Sequence, residues 1–378
     1  MPLKKPQIFT GFSSISSHEH PNSAFFHICE ENGRYKAYIY TSCLENPLQV
    51  APIEMSSADL KELNKQLREA MTGVARERNW TSTPGRSTER LVEMGHIAFK
   101  KVFGHPDAQS IIQRLQDLST GAYIGIGSKD FLLPWELIYP TNLDEPLSYE
   151  CFWGMNYIIS RYLRSEADYS QSSRSHRPNV GLLTYNRLSS VREKEIPFFE
   201  ELERDDKITL SRLRPLNRDK KKDELTGEFK GFWKKPLDAA HFACHAFYDD
   251  QSPMLSYIEL SNEFCISVTD MENYDITIDS HPLIIMNACE TGRLNPLYTT
   301  AFEEAFLRLG ARTVVATECR VPDAFAADFT RQLYTYLLEG CSVGESLLYA
   351  RQYFLERYHN PLGLLYSLYG SPVTGLDV

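Results

Sequence analysis

At 378 residues, with 42% hydrophobic and 12% aromatic side chains, the chain can bury a sizeable core, and its length favours two lobes over one. A net charge of −10 argues against a dedicated nucleic-acid binder, which needs a basic surface to neutralise phosphates. The N-terminus Met1-Pro-Leu-Lys-Lys-Pro-Gln7 has no apolar signal core, no apolar run reaches the roughly 18 residues a membrane span needs, and the eight cysteines are scattered without a CxxC pair. These features predict a cytoplasmic protein with reduced thiols and no membrane partner.

Residues 1–23 are polar and Ser/His-rich and read as a loose lead-in. Ala24–Ile28 and Tyr35–Tyr40 flank Asn32-Gly33, the strongest short hairpin signal. Ser56 or Ser57 caps a helix whose Leu60, Leu63, Leu67, Ala70 and Met71 share one face. Pro84-Gly85 marks a loop across 79–87, and Thr88–Val102 and Ala108–Leu118 are further amphipathic helices. Tyr123–Ile126 follows, then Phe131-Leu-Leu-Pro-Trp-Glu-Leu-Ile-Tyr139, an apolar anchor that reads as packing, and Tyr157–Leu163 is a strand. Residues 164–178 lose periodicity and divide an N-terminal lobe (1–165) from a second domain (175–378).

From Asn179 the pattern alternates. Strands are expected at Asn179–Thr184, Ile208–Leu213 and from Leu237 to His245, and helices at Val191–Glu203 and Leu225–Trp233. The basic run Arg218–Lys222 reads as a solvated loop. Ile258–Leu260 and Phe264–Val268 suggest a small hairpin, and Leu283–Met286 is a buried strand. Thr300–Leu309 is a helix stopped by Gly310, Ala311–Thr317 a buried strand, Ala324–Leu338 and Val343–Tyr358 long helices, and Leu364–Tyr369 a closing strand. Such alternation predicts an α/β fold with a mostly parallel sheet flanked by helices, preceded by an α+β lobe.

Two of these strands end on reactive residues. One runs into His245, the other into Cys289 within Met286-Asn-Ala-Cys-Glu-Thr-Gly292, and open α/β sheets bind ligands beyond the carboxyl ends of their strands. A nucleophilic cysteine needs an imidazole or a helix N-terminus to favour its thiolate, and His245 and a helix expected after Gly292 supply both. The backbone N–H groups of Cys289 and Ala246 are the candidate oxyanion donors, each such donor being worth roughly 3–4 kcal/mol. His241 lies about 13 Å from His245 along a strand, too far for one metal ion, and reads as a core or supporting histidine. Cys244 faces away from His245 by strand alternation and reads as packing. Neither GxGxxG nor GxxxxGK[ST] occurs, so no Gly-rich phosphate loop is present, and the absence of GxSxG counts against an α/β-hydrolase serine enzyme.

Leu133-Pro-Trp-Glu-Leu137, His241-Phe-Ala-Cys-His-Ala246, Met286–Gly292, Leu309–Ala316, Glu345–Ala350 and the terminal Leu368-Tyr-Gly-Ser-Pro372 together resemble the CHAT domain, a caspase-like cysteine peptidase family related to caspases and separase. The resemblance runs from about residue 25 to the end. The spacing of 44 residues from His245 to Cys289 is similar to the roughly 50 of caspases. The resemblance implies a caspase-like sheet behind a pseudo-peptidase lobe, with Cys289 as nucleophile and His245 as base or ion-pair partner in hydrolysing a protein substrate through a thioester, without a metal or other cofactor. Asn287 matches a position that lines the S1 pocket in caspase relatives, and Glu318 and Asp323 are candidates for an acidic pocket that selects Arg or Lys. Ala246 stands where many relatives have Gly. Missing sensor modules imply a separate activating partner, as in prokaryotic defence systems where such peptidases cleave a dedicated effector. The alternative is a catalytically silent interaction scaffold on the same fold.

Overall fold

The computed structural model describes residues 23–41, 49–77, 85–163 except 117, 177–213 except 186, 222–261 except 248, 250 and 251, 264–289 and 300–376. The lead-in before residue 23, most of the 79–87 loop, the 164–176 connection and most of the 218–222 basic run lie outside them.

The predicted hairpin is present. β1 (Ser23–Glu31) and β2 (Arg34–Thr41) pair antiparallel about Asn32 and Gly33, whose φ of 53° and 77° suit a two-residue turn matching strand twist. β3 (Gln49–Ile53) adds to β2 and was not legible. Its Pro52 breaks the strand pattern, and proline, lacking an N–H, is tolerated here because β3 is the outermost strand. α1 (Ser57–Arg76) starts with a capping box, Ser56 Oγ accepting from the Asp59 N–H (3.1 Å) and Asp59 from the Ser56 N–H (3.0 Å). α2 (Arg86–Phe103), α3 (Pro106–Gln116), β4 (Tyr123–Gly127), a short turn of helix at Trp135–Leu137, α4 (Trp153–Asn156) and β5 (Ile158–Tyr162) complete this half.

The second half alternates as expected: β6 (Asn179–Thr184), α5 (Ile196–Arg204), β7 (Thr209–Arg212), α6 (Lys222–Phe232), β8 (Ala239–Phe247), the hairpin β9 (Tyr257–Ser261) and β10 (Phe264–Ser267), α7 (Val268–Asn273), β11 (Leu283–Cys289), α8 (Thr300–Leu309), β12 (Thr313–Thr317), α9 (Asp323–Leu338), α10 (Val343–Tyr358) and β13 (Tyr366–Gly370). Gly310 ends α8 at φ 121°, where an added Cβ would lie 2.5 Å from the Ile278 carbonyl. The expected helix over Val191–Glu203 opens instead with a π-helical turn, Val191–Glu195. Pro197 has no N–H to continue the regular ladder, so the turn before it winds wider.

All thirteen described strands form one mixed, mostly parallel sheet with helices against it, β13 pairing with β5 to join the two halves. The cores divide by sheet face as well as by lobe. Leu182, Leu283 and Ile285 pack in one cluster, whereas their chain neighbours Leu183 and Ile284 pack in another, because successive strand side chains alternate sides. None of the described helices is long and apolar enough to cross a membrane.

Where the halves meet, the sheet buries charge. Arg161 on β5 forms ion pairs with Glu136 of the Pro-Trp-Glu turn and with Glu318 just past β12, and also donates to Tyr369 (2.9 Å) and Ser367 (2.8 Å) of β13. The Pro-Trp-Glu segment is therefore more than apolar packing: Trp135 fills the core, and Glu136 carries half of a buried ion pair. Burial alone would push the Glu318 carboxyl up, but the Arg161 guanidinium and the Ser367 hydroxyl outweigh it and hold it below the usual glutamate range. Glu303 of α8 is the opposite case: fully buried, neither oxygen partnered, and driven well above that range by burial, with Glu318 adding to the push.

A carboxyl whose pKa is raised by folding contributes stability below the usual glutamate range and loses it as pH rises toward its folded value. Glu303→Met is therefore expected to raise stability by roughly 1–3 kcal/mol at pH 8, the cost of an unsatisfied buried polar group, and by less at pH 5. Thermal melts across that range would show it. An equal loss at both pH values would mean that Glu303 is not a burden at neutral pH.

Candidate active site

The two reactive strand ends meet. β8 and β11 are adjacent and parallel, with His241 opposite Ile285, Ala243 opposite Asn287 and His245 opposite Cys289. Strand spacing therefore sets the His245 and Cys289 Cα atoms about 5 Å apart. β6, on the other side of β8, leads outward to β7, whereas β8 leads to β11 and β12, so the strand order reverses beside His245. A sheet opens a crevice at the carboxyl ends where such a reversal occurs. His245 is half-buried there, its ring 5.0 Å from that of Tyr185 at the end of β6. Beyond β6's pairing, β9 takes over the flank of β8, with Ala246 opposite Ile258. The Cys289 thiol, the Glu290–Gly292 turn and the start expected for a helix just after Gly292 lie outside the described residues. α8 begins at Thr300.

The candidate pocket residues separate. Asp323 opens α9, half-buried, beyond the same end of the sheet. Glu318 does not fit an open acidic pocket: it is 4% exposed, and its charge is engaged by Arg161 and by the Tyr369 hydroxyl at 3.0 Å. Asn287 is likewise turned inward. At 4% exposure, its Nδ2 donates to Glu195 Oε2 (3.2 Å) and Thr330 Oγ1 (3.1 Å), while its Oδ1 accepts from the Tyr366 hydroxyl (2.9 Å). A side-chain amide with these partners is a core tie, which corrects its assignment to a substrate pocket.

His241 is fully buried below His245, its Nε2 2.7 Å from the same Glu195 oxygen, in keeping with a supporting role. Cys244 faces the opposite core, where burial pushes its thiol far above the ordinary cysteine range, so it is no rival nucleophile. Glu195 was hidden in a Glu-rich stretch. The signal that marks it is position: it falls with Val191, Phe198, Phe199 and Leu202 on the apolar stripe of its helix, where a solvated glutamate has no place.

Comparison with known proteins identifies the family. The sequence profile of the CHAT domain matches residues 131–362. A probable protease of Vitiosangium sp. (strain GDMCC 1.1324) is 32% identical over 133 residues, which is 33% of this chain and 17% of that relative. Two solved structures of the Saccharomyces cerevisiae separase–securin complex align with 93% of the chain and 30% of theirs, at 9% and 10% identity and TM-scores of 0.47 and 0.49. The chain thus spans less than a third of the length of each of these proteins. The profile match covers well over half of the chain and includes both strands with reactive ends: the chain belongs to the CHAT domain family.

Proposed function

We propose that the protein is a cysteine endopeptidase that hydrolyses peptide bonds of a protein substrate through a thioester on Cys289, with His245 as its base. The observation that carries this reading is the register of β8 and β11, which pairs the family's histidine and cysteine at the open end of the sheet. A thiol beside an imidazole is readily ionised and attacks a carbonyl, and the same imidazole can then protonate the departing amine. The N–H groups of Cys289 and Ala246 are the proposed oxyanion donors. Asp323 is the remaining candidate for the acid that selects a basic P1 residue.

Such an enzyme would work in the cytoplasm, switched on by a partner protein, with antiviral defence as the role that the family membership suggests. The experiment is intact-mass analysis after exposure to peptidyl acyloxymethyl ketones of varied P1 residue. One adduct on the wild type, absent from Cys289→Ala, is the expected result, and a basic P1 should react fastest. If a Cys289→Ala protein retained the full biological effect of the chain, the scaffold reading would replace this one.

A further inference from the structure

We infer that Glu195 is the positioning residue of the site: one carboxylate oxygen that fastens the strand carrying His245 to the strand carrying Cys289. The inference rests on reading those two as the reacting pair. Glu195 Oε2 takes hydrogen bonds from His241 (2.7 Å), four residues before His245 on β8, and from Asn287 (3.2 Å), two residues before Cys289 on β11. Asn287 is in turn held by Thr330 of α9 and Tyr366 of β13. A single buried group thus connects β8 and β11, and through Asn287 reaches α9 and β13, immediately beneath the reactive ends.

A carboxylate 3% exposed between two strands is expensive to desolvate, and apolar packing would hold the strands together at less cost. The backbone ladder already sets strand spacing, and among the described residues it runs as far as the His245–Cys289 pair. Past that pair β8 is held on its other flank by β9, so among the described residues the relation between the His245 and Cys289 ends depends on what fastens β8 to β11 below them. Glu195 reaches the anchor point from the π-helical turn, a widening that recurs at functional sites. Geometry of this kind matters because a misplacement of about 1 Å between reacting groups costs on the order of 100-fold in rate.

The test is the pH profile of Cys289 alkylation by iodoacetamide, which needs no substrate pocket, followed by peptide mapping, with unfolding midpoints measured in parallel. In the wild type, Cys289 should react faster at neutral pH than in His245→Ala. In Glu195→Ala the alkylation midpoint should move up by about one pH unit, a tenfold loss of thiolate below it. Glu195→Gln keeps one acceptor oxygen for two donors and should recover most of that loss. Tyr366→Phe, which removes only the hydroxyl holding Asn287 and keeps the ring stacked at 4.2 Å on Phe329, should shift the midpoint the same way by less. If Glu195→Ala does not fold, the Gln and Phe variants carry the test. A wild-type Cys289 no faster than in His245→Ala defeats the dyad and this inference together. A fast wild type with unshifted variants defeats the positioning role alone.

Discussion

Arg161→Met is expected to cost about 3–5 kcal/mol of global stability in denaturant titrations near pH 7, the penalty for leaving buried charges without their partner. Arg161 is 5% exposed, and its guanidinium is shared by Glu136 and Glu318, with Tyr369 and Ser367 completing its hydrogen bonds. Met fills similar volume, so the loss reports the charges and not a cavity. Arg351, 3.7 Å from the other Glu136 oxygen, softens the blow at that carboxylate. Glu318 would keep the Tyr369 and Ser367 hydroxyls and the more distant charge of Arg68 but lose its ion-pair partner, so the Arg161→Met/Glu318→Gln double variant should recover part of the loss. The dependence on pH should also invert. In the wild type Glu318 contributes stability above the usual glutamate range that is lost as pH falls through its depressed folded value. Without Arg161, burial raises its pKa, and the variant should gain stability on acidification toward pH 5. A loss below about 1 kcal/mol would mean that the cluster is a neutral exchange of charges for packing. Because Arg161 ties β5, β13, the turn after β12 and the Pro-Trp-Glu segment, limited proteolysis should also find the variant's two halves easier to separate.

His245→Ala should lower kcat/KM for peptide hydrolysis by about 10²–10⁴-fold, the usual contribution of a positioned acid–base group, with KM changed little. On the proposed mechanism the imidazole acts on the thiol and the leaving amine and not on substrate binding, so its loss falls on the chemical step. Cys289→Ala should abolish hydrolysis, since no nucleophile remains to form the thioester. Added imidazole should restore part of the His245→Ala activity by occupying the half-open space beside Tyr185, and none of the Cys289→Ala activity. Equal activities of wild type and His245→Ala would remove the histidine from the mechanism while leaving the cysteine in question.

Much of this was legible because it follows from local rules. Periodicity located the strands of the second half, Asn32-Gly33 declared its hairpin, and Gly310 its helix end, since each depends on the conformational range of a few neighbouring residues. His245 and Cys289 stood out because both end apolar runs, and a strand's end is visible in its own sequence. β3 was hidden by Pro52, whose cost depends on which strand neighbours it, and the π-helical turn by a proline whose effect falls on the residues before it.

What the tertiary structure alone decided is the state of the buried polar groups. Glu318 and Asn287 sit at the right places in sequence for a substrate pocket, and a carboxylate or amide there has the right chemistry, yet both are committed to partners: Arg161, 157 residues away in the chain, and Glu195, 92 residues away. Glu195, Glu136 and Glu303 read as ordinary glutamates until burial sets them apart. Apolar burial is additive and periodic, so it writes itself into the local pattern. A buried charge is defined by a partner that the fold brings from elsewhere, and no window of sequence contains both.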